Sequence, residues 1–161
     1  MMALDASVEV ESHDGTSRQI ALDDLYCLPG TTPDIETTLK PGDLITAVLL
    51  PKPVEASHIY RKVRDRSSYA FALVSIAALV EVDEGKISTA ALAFGGLAPK
   101  PWRNRELESA LVGNAPSDAL FDKAADILLA DAQGYGENDF KIPLARRTLK
   151  AVLRTLTEVS Q

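Results

Sequence analysis

Two apolar segments of strand length, separated by a single turn, constrain this chain more than any other feature in it. Ala70 to Val82 is an almost unbroken apolar run, Asp83-Glu84-Gly85-Lys86 is a turn signal, and Ile87 to Phe94 is apolar again. A buried strand and a buried helix both read as continuous apolar sequence, so periodicity alone leaves Ala70 to Val82 open. The turn, with a second run of similar length behind it, favours strand for both arms of a hairpin. The stretch from Tyr69 to Val80 ends at Glu81 after about 12 residues, short of the roughly 18 needed to span a bilayer, and reads as core.

The hairpin is flanked by a strand and followed by helices. His58 to Arg64 can form a strand whose alternate residues His58, Tyr60, Lys62 and Arg64 share one face. From Trp102 onward the pattern is helical. Arg103 to Leu111 runs to Gly113, a C-cap position. Ser117 or Asp118 caps a second helix through Ala132, with Leu120, Ala124, Ile127 and Leu128 on one stripe. Asn138 or Asp139 precedes a third, in which Ile142, Ala145, Leu149, Val152 and Leu156 follow the helical repeat and Pro143 fits the first turn. Three strands followed by three helices predict an α+β fold, a three-stranded antiparallel sheet packed on three helices.

The first third reads differently. Ser7-Val8-Glu9-Val10-Glu11 alternates as a half-buried strand does, His13-Asp14-Gly15-Thr16 turns, and Arg18 to Leu22 returns. Asp23-Asp24 suits a short helical turn before Leu28-Pro29-Gly30 breaks it. Lys40-Pro41-Gly42-Asp43 is a turn, and Leu44 to Leu50 is expected to be a buried strand. Pro51-Lys52-Pro53 stops it and marks the expected boundary between segments 1–53 and 54–161.

Composition removes whole classes of function. The single cysteine, Cys27, cannot make an intrachain disulfide or hold a cysteine-ligated cluster, and His13 and His58 lie far apart, so no metal site is expected. The N-terminus lacks a basic region followed by an apolar stretch, so a cytoplasmic protein without a signal peptide or membrane span is expected. The formal net charge of −6 argues against nucleic-acid binding. Its distribution is uneven: residues 1–57 hold ten acids and three bases, whereas residues 58–105 hold eight bases and four acids. A local basic patch suits one anionic ligand or acidic partner better than a polyanion.

That patch centres on Arg61, Lys62, Arg64 and Arg66. Such a strip can be a solvated face paired with acids such as Asp65, or it can place a compact ammonium against a ligand phosphate or an electron-rich ring edge. Gly95-Gly96 is not a nucleotide fingerprint and reads as a tight bend. No nucleophile–base spacing, metalloprotease helix or glycine-rich phosphate loop stands out, so no catalytic residue is expected.

Several motifs in order give the chain a family likeness. They are Leu39-Lys-Pro-Gly-Asp-Leu-Ile45 before the strand ending at Pro51, Tyr60-x-Lys62 followed by Arg66, Gly95-Gly96-x-Ala98-Pro99-x-Pro101-x-Arg103, and Glu108-x-x-Leu111-x-Gly113. In these the chain resembles the C-terminal portion of the FAD-binding (medium) subunit of the molybdenum hydroxylases, the xanthine dehydrogenase, CO dehydrogenase and bacterial aldehyde oxidoreductase type. Lys62 to Ser75 looks most like the aldehyde-oxidising branch.

The resemblance implies an electron-transfer role through FAD, with an Fe–S subunit and a molybdopterin-binding subunit as partners. It implies that Ile45 lines the isoalloxazine ring and that Lys62 contacts the flavin. It also implies that 54–161 is a CO dehydrogenase flavoprotein C-terminal-like domain and that 1–53 is a remnant of the second FAD-binding subdomain. The family's glycine-rich FAD loops are not in this sequence, so FAD binding by this chain alone is expected to be weak or absent, without turnover. A stand-alone interaction or scaffold domain without cofactor is the alternative. Strands of the first segment would lack partners, which makes homodimerisation through an exposed sheet edge an expectation.

Overall fold

A computed structural model describes residues 1–158. The chain divides into two compact units, Met1–Val54 and Glu55–Gln161.

The first unit is built on a three-stranded antiparallel sheet in the order β2-β1-β3. Strand β1 (Ser7–Glu11) and strand β2 (Ser17–Ala21) form the expected hairpin, and β3 (Leu44–Leu49) pairs on the other side of β1. A short helix α1 (Leu22–Leu25) follows β2, with Asp23 and Asp24 in its first turn and Leu22 and Leu25 buried. Alternation in β1 sends Val8 and Val10 to the buried face, while Glu9 and Glu11 stay in water. Strand β3 corrects the sequence reading. Leu44 to Leu49 is a strand, but not a buried one: Leu44 is 65% and Val48 47% exposed. The cause is its place at the sheet edge, with a neighbour on one side only.

The second unit is an α+β sandwich. Its sheet runs β4-β5-β6-β7, made of β4 (Ser57–Val63), β5 (Val74–Asp83), β6 (Lys86–Gly95) and β7 (Trp102–Arg103). Helices α2 (Arg105–Leu111), α3 (Asp118–Leu128) and α4 (Lys141–Thr157) pack on one face. The three long strands and three helices are those the sequence predicts. Strand β7 is an addition, because Trp102 and Arg103 pair with Phe94 and Ala93 before the chain turns helical.

The core lies between sheet and helices. Ile76, Val80, Ile87, Leu92 and Phe94 meet Leu107, Leu111, Phe121, Leu149 and Leu153, all nearly free of solvent. Each such side chain contributes roughly 1.5–3 kcal/mol by burial. Asn104 caps α2 and Ser117 caps α3, accepting from Leu107 and Leu120 N–H at 3.0 and 3.2 Å. Helix α4 begins at Lys141, after Asn138 and Asp139 as expected; its N-cap is Phe140, while Asn138 and Asp139 accept from Tyr135 and Gly136 N–H in the preceding turn. Across the outer faces of α3 and α4, Lys150 pairs with Asp122 at 2.7 Å, Arg154 with Asp118 at 2.7 Å, and Arg146 with Asp126.

Candidate functional site

Lys62 stands on β4, an edge strand, and the register places it opposite Ser75 of β5, which in turn lies opposite Gly95 of β6. Residues opposed across antiparallel strands project from the same face. The next row holds Tyr60, Ala77 and Ala93, and the row beyond it His58, Leu79 and Ala91. This face is the reverse of the one that carries Ile76, Leu92 and Phe94 into the helices, so Lys62 and Tyr60 look away from the core. Tyr60 is 64% exposed. The expected sharing of one face holds for His58, Tyr60 and Lys62; Arg64 falls outside it, because β4 ends at Val63.

The floor of this face is small by steric necessity. A Cβ on Gly95 would stand 2.5 Å from the Ser75 hydroxyl oxygen, so that hydroxyl fills the space a side chain would need. Gly96 has φ +80, and a Cβ there would meet the Leu73 carbonyl oxygen at 2.5 Å. Only glycine fits both a left-handed backbone and that approach. Lys141 of α4 donates from Nζ to the Gly96 carbonyl at 3.0 Å.

Among the described residues, the Lys62 ammonium has no hydrogen-bond or ion-pair partner, and Asp65 pairs with none of the neighbouring cations. An unpaired ammonium beside a phenol ring, over a floor of alanine and glycine, is suited to an electron-rich planar group. Arg66 differs from its neighbours in serving the fold, because its guanidinium donates to the Tyr69 carbonyl. That contact accompanies a left-handed Tyr69, φ 54, uncommon for a residue other than glycine. The Tyr69 and Phe71 side chains are 94% and 97% exposed. Sequence reasoning missed them by counting Tyr69 into the core run, whereas β5 begins only at Val74. Their position directly after four cations was the available signal.

Ile45 belongs to the first unit. It lies on β3 opposite Val10, next to a register shift, and is 41% exposed. Asp43, just before β3, takes the Arg18 guanidinium at 2.5 Å, the Lys40 N–H at 2.7 Å and the Ser12 hydroxyl at 2.9 Å. The Arg18 hydrogen bond, reinforced by the other two, holds its carboxyl well below the usual carboxylate range. The strand that carries Ile45 therefore starts from a fixed point.

Other residues of the sequence motifs are structural. Arg103 Nε donates to Glu108 Oε1 at 2.7 Å with both side chains nearly buried, and Glu108 Oε1 also accepts the Leu92 N–H at 2.8 Å. The pair ties β7, α2 and β6 together. Gly113, φ +81, donates its N–H to the Ile87 carbonyl at 2.7 Å, fixing the loop after α2 to the hairpin.

The two ends of an FAD molecule make different demands on these donors. The Lys62 face offers an unpaired cation over a small floor, the chemistry that the ring end of a flavin would call for. Among the described residues, none of α2, α3 and α4 leaves its N-terminus open as a cradle for the pyrophosphate end. Helices α2 and α3 are capped by their own side chains and carry Glu106, Glu108 and Asp118 in their first turns. The first N–H groups of α4 are taken by the Asn138, Asp139 and Phe140 carbonyls. Among the described residues no group of three or more His, Cys, Asp and Glu could hold a metal ion, and no helix is long and apolar enough to cross a membrane.

Comparison with known proteins agrees with this architecture. Residues 58–156 match the model of the CO dehydrogenase flavoprotein C-terminal domain. Over 153 residues the chain is 49% identical to the aldehyde oxidoreductase FAD-binding subunit PaoB of Escherichia coli, covering 95% of this chain and 45% of that one. It is 30% identical over 152 residues to the carbon monoxide dehydrogenase medium chain of Afipia carboxidovorans, covering 94% and 50%. A crystal structure of the Cu,Mo-CO dehydrogenase has the same fold, with TM-score 0.84 at 24% identity over 99% of this chain and 55% of that one. The chain thus spans about half the length of these relatives. Matched in more than half its residues, and with its sandwich intact, the chain belongs to the CO dehydrogenase flavoprotein C-terminal domain family.

Proposed function

We propose that this chain is the C-terminal portion of the FAD-binding subunit of a molybdenum hydroxylase of the aldehyde-oxidising type. The observation that carries the reading is the 49% identity with an FAD-binding subunit along 95% of the chain. The partners would be an Fe–S subunit and a molybdopterin-binding subunit. Residues 54–161 form the C-terminal domain in this reading, and residues 1–53 belong to the second FAD-binding subdomain.

When bound, FAD supplies a carrier that takes electrons from Fe–S clusters and hands them to an external acceptor. The chain's own residues set the surroundings of its ring. Lys62, with an unneutralised ammonium, stabilises negative charge at the ring edge and so favours the reduced form. Ile45, on β3 of the first unit, is the second residue this reading assigns to the flavin, on the family likeness of Leu39 to Ile45. Tyr60, two residues before Lys62 on the same face, limits where the ring can lie.

The chain by itself is the ring-side half of a site, because much of a dinucleotide's affinity comes from backbone N–H groups around its pyrophosphate. Titration of the 161-residue chain with FAD, followed by quenching of flavin fluorescence, is expected to show weak binding or none and no turnover. Saturable binding at micromolar or tighter affinity would overturn that part. Co-purification with the Fe–S and molybdopterin-binding subunits would favour this reading over a stand-alone interaction or scaffold domain without cofactor.

A further inference from the structure

Among the cations of α4, Arg146, Lys150 and Arg154 pair with acids of α3. Lys141 does not. It is the first residue of a 17-residue helix with no acid in its first turn and no side-chain cap at Phe140. The N-terminal end of a helix carries partial positive charge, so a cation there is disfavoured. Lys141 makes no ion pair among the described residues. Its Nζ donates instead to the Gly96 carbonyl, 45 positions away in sequence, at 3.0 Å. A residue that breaks a local rule in this way points to a gain elsewhere in the fold.

The gain lies in what Gly96 adjoins. A Cβ on Gly96 would meet the Leu73 carbonyl oxygen, and one on Gly95 the Ser75 hydroxyl oxygen, each at 2.5 Å. The corner must therefore be glycine, and glycine has the freest backbone and no side chain with which to anchor itself. Lys141 supplies that anchor from the helix layer. Gly95 lies opposite Ser75, and Ser75 lies opposite Lys62. The tie from α4 thus ends at the small floor over which the Lys62 ammonium stands.

We propose that Lys141 is a positioning residue for the flavin ring. By holding the Gly96 carbonyl it sets the depth of the Ser75–Gly95 floor, and with it how closely a ring can approach Lys62. The inference rests on the functional reading above and adds a residue that acts on the ring only through the backbone corner. Its action is differential. A ring seated against Lys62 gains more from that cation when reduced and negatively charged than when oxidised and neutral. A looser corner therefore weakens the reduced form more than the oxidised one. A lysine that served only the stability of α4 would leave that balance unchanged.

The test uses the 161-residue chain, and the same chain with the part of the Escherichia coli relative outside the match joined ahead of residue 1. In the chain alone, Lys141→Met should speed amide exchange at residues 95–97 about fivefold and leave residues 76–80 of β5 unchanged. In the joined protein loaded with FAD, Lys141→Met should shift the balance of reduced against oxidised flavin about tenfold toward the oxidised form, a fall of about 30 mV in a two-electron potential. Lys141→Arg, which keeps a donor, should restore both readings. Trp102 fluorescence reports folding, and Lys141→Ala, a strong helix former, repeats the measurement should the Met variant lose that signal. Unchanged exchange at 95–97 overturns the inference, and so does a potential that the Met and Arg variants alter equally. Flavin uptake separates this from the functional reading. A joined wild-type protein that takes up no FAD sinks that reading and this role with it, whereas FAD uptake with a potential indifferent to Lys141 sinks this role alone.

Discussion

Strands β3 and β5 are both apolar runs, and they meet opposite fates. Strand β5 lies between β4 and β6 with three helices over one face, and Val74, Ile76 and Val80 are almost solvent-free. Strand β3 lies at an edge, and Val48 remains half exposed. The two units differ in the same way. The second closes a core between sheet and helices that includes Phe94, Phe121, Leu107 and Leu149. The first buries only small groups and a few aliphatic side chains, among them Met2, Val8, Val10, Leu22 and Leu25. Apolar content does not by itself bury a strand; a second layer over its face is what makes that strand a core.

The sharpest break of this contrast would come at Glu108. Replacing it with alanine removes the Glu108 carboxylate from beside the buried Arg103 and takes from the Leu92 N–H its side-chain acceptor. Glu108→Ala is expected to cost about 3–5 kcal/mol, read by chemical denaturation through Trp102. A loss below about 1 kcal/mol would show that the second unit does not depend on its buried pair.

Acid should act on both units through different groups. In the first, Arg18 and its companions lower the Asp43 pKa; in the second, Lys150 and the nearby arginines lower that of Asp122. A carboxylate whose pKa is lower folded than unfolded stabilises fully above the unfolded value of about 3.9, and that contribution fades as pH falls through the range beneath it. Asp43→Asn should therefore flatten the acid limb of β1 amide protection and leave the acid limb of Trp102 fluorescence in place. Equal flattening of both would mean that the units unfold as one.

The smallest effect is expected at β3. Val48→Thr keeps the β-branch and removes apolar surface that water already reaches, so the stability of the chain should change by less than about 0.5 kcal/mol. A loss of about 2 kcal/mol or more, the scale of core truncations, would mean that β3 is buried in solution and the contrast between the strands is void.

Much of the fold was legible because its signals are local. The hairpin turn at Asp83 to Lys86, the Ser117 cap and the α4 stripe from Ile142 to Leu156 each depend on a few adjacent residues. What escaped depends on distant ones. Trp102 and Arg103 form a strand only because Phe94 and Ala93 are there to pair with them. Tyr69 and Phe71 read as core by hydropathy, yet stand in water because the chain turns back through a left-handed Tyr69 before β5 begins. Asn138 and Asp139 stand ahead of α4 as the sequence suggests, but that their side chains hold the Tyr135 and Gly136 N–H groups emerged only from the structure. At the candidate site, the Tyr60-x-Lys62 spacing placed both groups on one face, while the Ser75–Gly95 floor beneath it could be seen only once register was known.

By itself the sequence determined the α+β class, the hairpin core, the three helices and the family, since periodicity, turn chemistry and motif order survive without coordinates. Tertiary structure decided which apolar strand is covered and which is left bare, and which cations are spoken for. Burial and pairing are relations between segments far apart in the chain, and no local pattern in Leu44 to Leu49 records whether a neighbour is there.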